Sequence, residues 1–358
     1  MSHNGSTTNR WRDFLEQYSL QHRRVFAIGF NPHWRKALAR FTQGSDITHV
    51  RSADQVPEGA LALIWGQRQV EIQHKETVLV RLEDGFLRSV GLGAEFARPL
   101  SWVADFQHLY FDATGPSRLE KLLNEQSVTE EEKSRASTLI RDITAARLSK
   151  YNSQSASWVR PEKEHVILVP GQVETDASIA FGAPGIKTNM ELLQTVRQQN
   201  PQAWVVYKPH PDVVAGARKQ GDQEQNALQW CDEIVTHANI AELLEQVDEV
   251  HTLTSLAGFE ALLRHKTVTC YGLPFYAGWG LTNDHHACHR RKRTLSLEEL
   301  AHAVLIQYPL YSSLNHHGFI TPEQALNELQ YQRVRRPTTS VRLGKYARKA
   351  INLIRGAQ

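Results

Sequence analysis

Cysteine is scarce: Cys231, Cys270 and Cys288 are the only three in 358 residues, and no CxxC pair occurs. An odd, scattered set argues against a disulfide framework and fits a reducing compartment. No window nears the roughly 20 apolar residues of a membrane span. The opening Met1-Ser2-His3-Asn4-Gly5-Ser6 lacks the apolar core of a signal peptide. A cytoplasmic protein is therefore expected. Walker A and GxGxxG are both missing, which argues against an ATPase or a dinucleotide dehydrogenase. The chain has no internal repeat. Its net charge is only +3, so nothing calls for a nucleic acid as partner. The exception is residues 333–358, with eight Lys or Arg and no Asp or Glu. Leu343, Tyr346, Ala347, Ala350, Ile351 and Ile354 alternate there with Lys345, Arg348 and Lys349 at helical spacing. Such a helix can lie peripherally on an anionic inner-membrane surface; a solvated basic tail or a linker reads equally well.

What is present is a twice-repeated alternation of short apolar runs and helical segments. Residues 25–30, 61–66 and 77–82 read as strands, each of the first two ending at a glycine, and 33–41 and 130–148 read as helices. After a polar stretch at 151–157 the pattern restarts, with strands at 165–170, 203–207, 249–253 and 267–271 and helices at 189–199, 240–247 and 256–264. This alternation predicts parallel βαβ units in an α/β protein of two Rossmann-like domains facing a cleft. The expected division is 1–150 for the first, acceptor-side domain, 151–160 for a linker and 161–310 for the second, nucleotide-binding domain. Closing helices (311–335) and the basic tail (336–358) follow, with helices read at 295–308 and 322–333. Ligands in such sheets bind beyond the carboxyl ends of the strands.

The motifs fall at those ends. Tyr207-Lys208-Pro209-His210-Pro211-Asp212 closes one strand, and Thr254-Ser255 opens a helix after another. Lys and His supply positive charge and donors, and hydroxyls at a helix start add more, so the pair suits a nucleotide phosphate. The plainer reading makes His210 a loop histidine and Ser255 an N-cap. Gly171-Gln172-Val173-Glu174-Thr175-Asp176 carries two carboxylates two residues apart over the cleft, suited to a nucleophile or base; Asp176 equally suits an N-cap. Glu83, Asp84 and Arg88 end the third strand of the first domain, as an acid/base pair with an anion-binding Arg or as an ordinary Asp-Gly turn. Glu260 sits in the helix opened by Ser255, where a carboxylate can take ribose hydroxyls. The aromatic loop 271–280 reads as a wall over the ligand or as packing. Asp284, His285, His286, Cys288 and His289 are metal-ligand types, but their spacing fits no closed site and four basic residues follow, so no metal is expected.

Six ordered motifs carry a family resemblance. They are Glu83-Asp84-Gly85-Phe86-Leu87-Arg88-Ser89-Val90-Gly91-Leu92-Gly93, Tyr110-Phe111-Asp112-Ala113-Thr114, Pro170 to Glu174, Tyr207 to Asp212, Thr254 to Leu263 and Tyr271 to Thr282. From about residue 25 to 330 the chain resembles one module, the second rather than the first, of the tandem KpsC-type capsule polysaccharide transferases of Gram-negative bacteria. That resemblance implies a GT-B glycosyltransferase moving 3-deoxy-manno-octulosonic acid (Kdo) from CMP-Kdo with retention onto a Kdo-containing glycolipid. It implies capsule assembly proteins at the inner membrane as partners and no cofactor beyond the donor.

By the same resemblance Lys208, His210, Thr254 and Ser255 meet the CMP phosphate and Glu260 the ribose, with Gly171, Gln172 and Gly258 in the binding motifs. Retention from a β-donor needs two inversions, hence a carboxylate nucleophile. Asp176 is the expected nucleophile, with Glu174 second. Glu83, or failing it Asp84, would be the base, and Arg88 the partner of the Kdo carboxylate. The rival readings are a transferase using CMP-sialic acid or CDP-glycerol, and a non-catalytic glycolipid-binding module.

Overall fold

The computed structural model describes residues 9–90, 97–150 and 157–334. The basic tail, most of the 151–160 linker and Gly91-Leu92-Gly93 lie outside the described residues.

The runs Val25–Ile28 (β1), Leu61–Trp65 (β3) and Val166–Pro170 (β6), buried throughout except at Trp65, are central strands, covered on both faces as parallel sheets require. The first sheet joins β1 and β3 with Ile47–Val50 (β2), Val78–Asp84 (β4), Ser101–Asp105 (β5) and, from the far end of the chain, Pro309–Tyr311 (β12), while β6 lies in the second. Its order is β2-β1-β3-β4-β5-β12. The second holds Trp204–Lys208 (β7), Glu233–Ile234 (β8), Glu249–Thr252 (β9), Thr267–Cys270 (β10) and Asn283–Asp284 (β11), ordered β8-β7-β6-β9-β10-β11. All of its pairings are parallel, and the order reverses between β6 and β9. That is the doubly wound arrangement, with its crevice at the switch.

Two expectations fail in the first half. The sheet is not all parallel: β5 runs antiparallel to β4, and β12 antiparallel to β5. A domain boundary at 310 also cuts through β12, which belongs to the first sheet. The chain leaves the second sheet through helix Leu297–Ala301, runs on as a π-helix over His302–Gln307, and returns. Arg118 Nη2 donates to the Tyr308 carbonyl (2.6 Å), Tyr308 Oη to Asp105 (2.7 Å), and Arg10 to the carbonyls of Ile306 and Gln307 (3.1 and 2.9 Å). Helix Pro322–Val334 follows. One apolar cluster joins the halves, with Phe86 of the first packed on Phe259 and Phe275 of the second. Among the described residues no helix is long and apolar enough to cross a membrane.

Candidate active site

The carboxyl ends of both sheets face a cavity of about 540 Å³. Trp65, Glu83, Asp84 and Tyr110 come from the first half, and Gln172, Asp176, Lys208, His210, Thr254, Ser255 and Glu260 from the second. Its size suits a nucleotide sugar, since ligand pockets commonly hold 300–1,000 Å³.

Lys208 ends β7 and lines this cavity. Among the described residues its ammonium has no hydrogen-bond or ion-pair partner. Burial pushes its pKa down to about 8. A half-buried cation without a counterion is costly, and an arriving anion relieves that cost. Beside it, His210 N-caps the short helix Pro211–Val214: the Asp212 N–H donates to its Nδ1 at 3.2 Å. With Nδ1 accepting, the ring proton sits on Nε2. Burial lowers the imidazole pKa, opposed by Asp212 and Asp176, so a neutral ring offers Nε2–H as a donor. His210 is thus the N-cap of this helix as well as a residue of the cavity wall, where the plainer reading expected a loop histidine.

Gln172 joins the two strands at the switch. Its Nε2 donates to Thr254 Oγ1 and its Oε1 accepts from the Thr254 N–H, both at 2.9 Å. Asn189 fixes its backbone from behind by two bonds of 2.9 Å. Thr254 is thus held by Gln172, while Ser255 Oγ accepts from the Ala257 N–H as N-cap of Leu256–Leu262. Gly171 also lines the cavity; a Cβ there would come within 2.5 Å of Tyr207 Oη. Glu260 is buried, its Oε1 accepting from the Lys150 N–H at 2.9 Å, and burial raises its pKa.

Across the cavity, Glu83 has its pKa raised to about 7, first by burial and then by the neighbouring Asp84. Asp84 is gripped through Oδ2 by Arg88 Nε at 2.5 Å. Its Oδ1 is buried and has no hydrogen-bond partner among the described residues.

Three sequence candidates fall outside the cavity. Arg88 is 1% exposed, bonded to Asp84 and to Ser89 Oγ, so it orients a carboxylate of the protein and does not face the cavity. Glu174 accepts from the N–H groups of Asn189 (2.8 Å) and Asp222 (3.0 Å), tying two loops together. Gly258 abuts Tyr276: a Cβ would meet its Oη at 2.2 Å, and that hydroxyl donates to the Ser255 carbonyl at 2.5 Å. Gly258→Ala should therefore destabilise by about 1–3 kcal/mol through overpacking, read as a lower urea midpoint. Asp176 does line the cavity, but it is exposed and its Oδ1 caps Ala177–Gly182 through the Ser178 N–H at 3.0 Å.

The loop 271–280 is packed: Tyr271, Phe275, Tyr276 and Trp279 are buried, with only Phe275 and Pro274 reaching the cavity wall. The histidine-rich segment is structural. Asp284 accepts from Gly278 N–H and Thr282 Oγ1, His285 stacks on Tyr271, and Arg290 and Arg291 grip Glu120. Among the described residues no group of three His, Cys, Asp or Glu could hold a metal. Sequence reasoning passed over Lys150. It lines the cavity at the junction of the halves, its N–H on Glu260 and its carbonyl accepting from Ser89 N–H (3.4 Å). Its charge opposes the upward shifts of Glu83 and Glu260.

A family model described as capsule polysaccharide biosynthesis protein matches residues 64–311, across both sheets and the cavity. The chain belongs to that family. LipA of Neisseria meningitidis serogroup B, a capsule polysaccharide modification protein, is 44% identical over 339 residues, covering 91% of this chain and 48% of LipA. The chain thus spans about half the length of that relative. The lipopolysaccharide-processing protein LpsZ of Rhizobium meliloti is 39% identical over 306 residues, 80% of this chain and 70% of LpsZ. Among solved structures, the β-Kdo 2,7 transferase of Thermosulfurimonas dismutans KpsC is 38% identical with a TM-score of 0.72, covering 86% of this chain and 99% of that one. The β-Kdo 2,4 transferase of the same KpsC is 31% identical with a TM-score of 0.75, covering 86% and 98%. Within its family the chain is therefore of the KpsC type.

Proposed function

We propose that this chain is a retaining β-Kdo transferase of GT-B architecture, moving Kdo from CMP-Kdo to a Kdo-terminated glycolipid at the inner membrane, with no metal. The observation that carries this reading is the partnerless Lys208 ammonium beside the His210 Nε2–H and the Thr254–Ser255 turn, facing the Glu83–Asp84 carboxylates over one cavity. The phosphate of CMP would sit at the first group, its leaving charge neutralised by Lys208 and His210. Glu260 would face the ribose.

In-line displacement needs the attacking oxygen on the side opposite the leaving phosphate. Asp176 belongs to the loop after β6, in the same half as Lys208 and His210. Asp84 comes from the facing sheet, is oriented by Arg88, and keeps one oxygen without a partner among the described residues. The geometry favours Asp84 over Asp176 as nucleophile. Its Oδ1 would attack the anomeric carbon as the bond to the CMP phosphate oxygen breaks, giving a Kdo ester and CMP. The acceptor hydroxyl would then attack that carbon, lose its proton to Glu83, and return the Asp84 carboxylate. A base with a pKa near 7 suits that step at neutral pH.

The test is incubation with CMP-Kdo and a synthetic lipid carrying one Kdo residue, with the product analysed by NMR. A β-linked Kdo product is expected. Turnover of CMP-sialic acid or CDP-glycerol with none of CMP-Kdo would overturn the reading, and so would CMP binding without any transfer.

A further inference from the structure

Beyond the cavity, the first sheet has a switch point of its own. Its order β2-β1-β3-β4 changes winding direction between β1 and β3, and this crevice is one strand away from the Glu83–Asp84 end of β4. Neighbouring strands lie about 4.8 Å apart, so the crevice begins about one sugar ring from the carboxylates.

The segments that border it share a composition. Residues 28–40 follow β1 and include His33, Arg35, Lys36 and Arg40 with no Asp or Glu. Residues 65–70 follow β3 and include Arg68, again with no acid. Gly29, at φ +68°, leaves space that the Arg68 guanidinium fills: a Cβ there would lie 2.7 Å from Nη1. Arg68 Nη2 donates to the Ile28 carbonyl at 3.2 Å, which sets the exposed guanidinium across the crevice. From beneath, Arg81 Nη1 donates to the carbonyls of Gly66 and Arg68, both at 3.0 Å, and so fixes the loop's shape. Two half-buried indoles complete the border. Trp65 lines the cavity, and Trp34 stacks on it with centroids 5.4 Å apart and planes 22° apart.

A flat aromatic pair and a fixed guanidinium, bordering one crevice on segments that carry no acid, match a sugar ring that carries a carboxylate. Sugar C–H faces pack on indole, and a guanidinium takes a carboxylate through paired hydrogen bonds. We propose that the β1/β3 crevice is an acceptor subsite for an acidic sugar, holding the unit next to the one that receives the transferred residue. Arg68 takes its carboxylate, and Trp65 with Trp34 takes its ring. The proposal rests on the transferase reading above and adds where the acceptor lies.

The test compares acceptors with one and with two acidic sugars, and a two-sugar acceptor whose carboxylates are esterified. For the wild-type protein the two-sugar acceptor should show the lowest KM, and esterification should raise it. In Arg68→Ala the KM for the two-sugar acceptor should rise about tenfold, as expected for one lost charge-assisted contact. The KM for CMP-Kdo should stay within about twofold, and Arg68→Lys should restore part of the loss. Trp34→Ala, whose ring lies outside the cavity, should raise the same KM, with thermal melting to confirm folding. If both variants are folded and keep the wild-type acceptor KM, or if esterification changes nothing, the subsite is wrong. Failure of the transferase reading looks different: the wild-type protein would not turn over CMP-Kdo at all.

Discussion

Asp84→Asn should remove the covalent Kdo adduct expected in intact-mass spectra of the wild-type protein mixed with CMP-Kdo. Transfer should fall by about 10³-fold or more, the scale of losing a nucleophile. Asn is the right replacement, because Arg88 is 1% exposed and needs an acceptor. Removing that acceptor altogether would strand a buried charge, at about 3–5 kcal/mol. Asp176→Ala is expected to keep the adduct and to lose only the cap of Ala177–Gly182, about 1 kcal/mol. An adduct that survives Asp84→Asn and vanishes in Asp176→Ala would return the nucleophile to the loop after β6.

The second large effect is on pH dependence. Glu83 would act as a base only when ionised, and burial raises its pKa to about 7. The acid limb of kcat/KM should therefore rise through about 7. Lys208 would hold phosphate only when protonated, and burial lowers its pKa to about 8. The basic limb should fall through about 8, giving a narrow bell between the two. Bound phosphate stabilises the ammonium, so the basic limb of kcat should lie higher than that of kcat/KM. Glu83→Gln should lower transfer by about 10²–10⁴-fold, the usual worth of a general base, and flatten the acid limb. Lys208→Ala should raise the KM for CMP-Kdo about 10–100-fold, as losing a charged hydrogen bond does. A flat profile between 6 and 9 would contradict both assignments.

The Lys208–His210 end of the cavity was legible in the sequence because its residues are consecutive. A strand of β-branched and aromatic residues running into Lys208-Pro209-His210 can place them only at a carboxyl edge. Helix Asn189–Gln199 was legible to the residue, since the Thr188–Glu191 capping box marks its start. The family motifs brought Gln172, Thr254 and Glu83 into one cavity. They did not tell which way each side chain turns. Glu174 and Asp176 look equivalent as letters, yet one closes on two backbone N–H groups while the other stays at the rim. Arg88 reads as an anion receptor until its burial beside Asp84 is seen. Lys150 carries no local signal, because its position depends on how Ser89 and Glu260 meet across the halves. The return of Pro309–Tyr311 to the first sheet was hidden for a related reason. A three-residue edge strand opened by proline has too little pattern to separate from the helix before it.

The most direct test of the account is a crystal structure with CMP bound. The phosphate should lie within hydrogen-bond reach of Lys208 Nζ and His210 Nε2, with Thr254 and Ser255 beside it, the ribose towards Glu260, and Asp84 across the cavity. CMP bound with its phosphate away from Lys208 and His210, or with Asp84 on the same side as the phosphate, would contradict it.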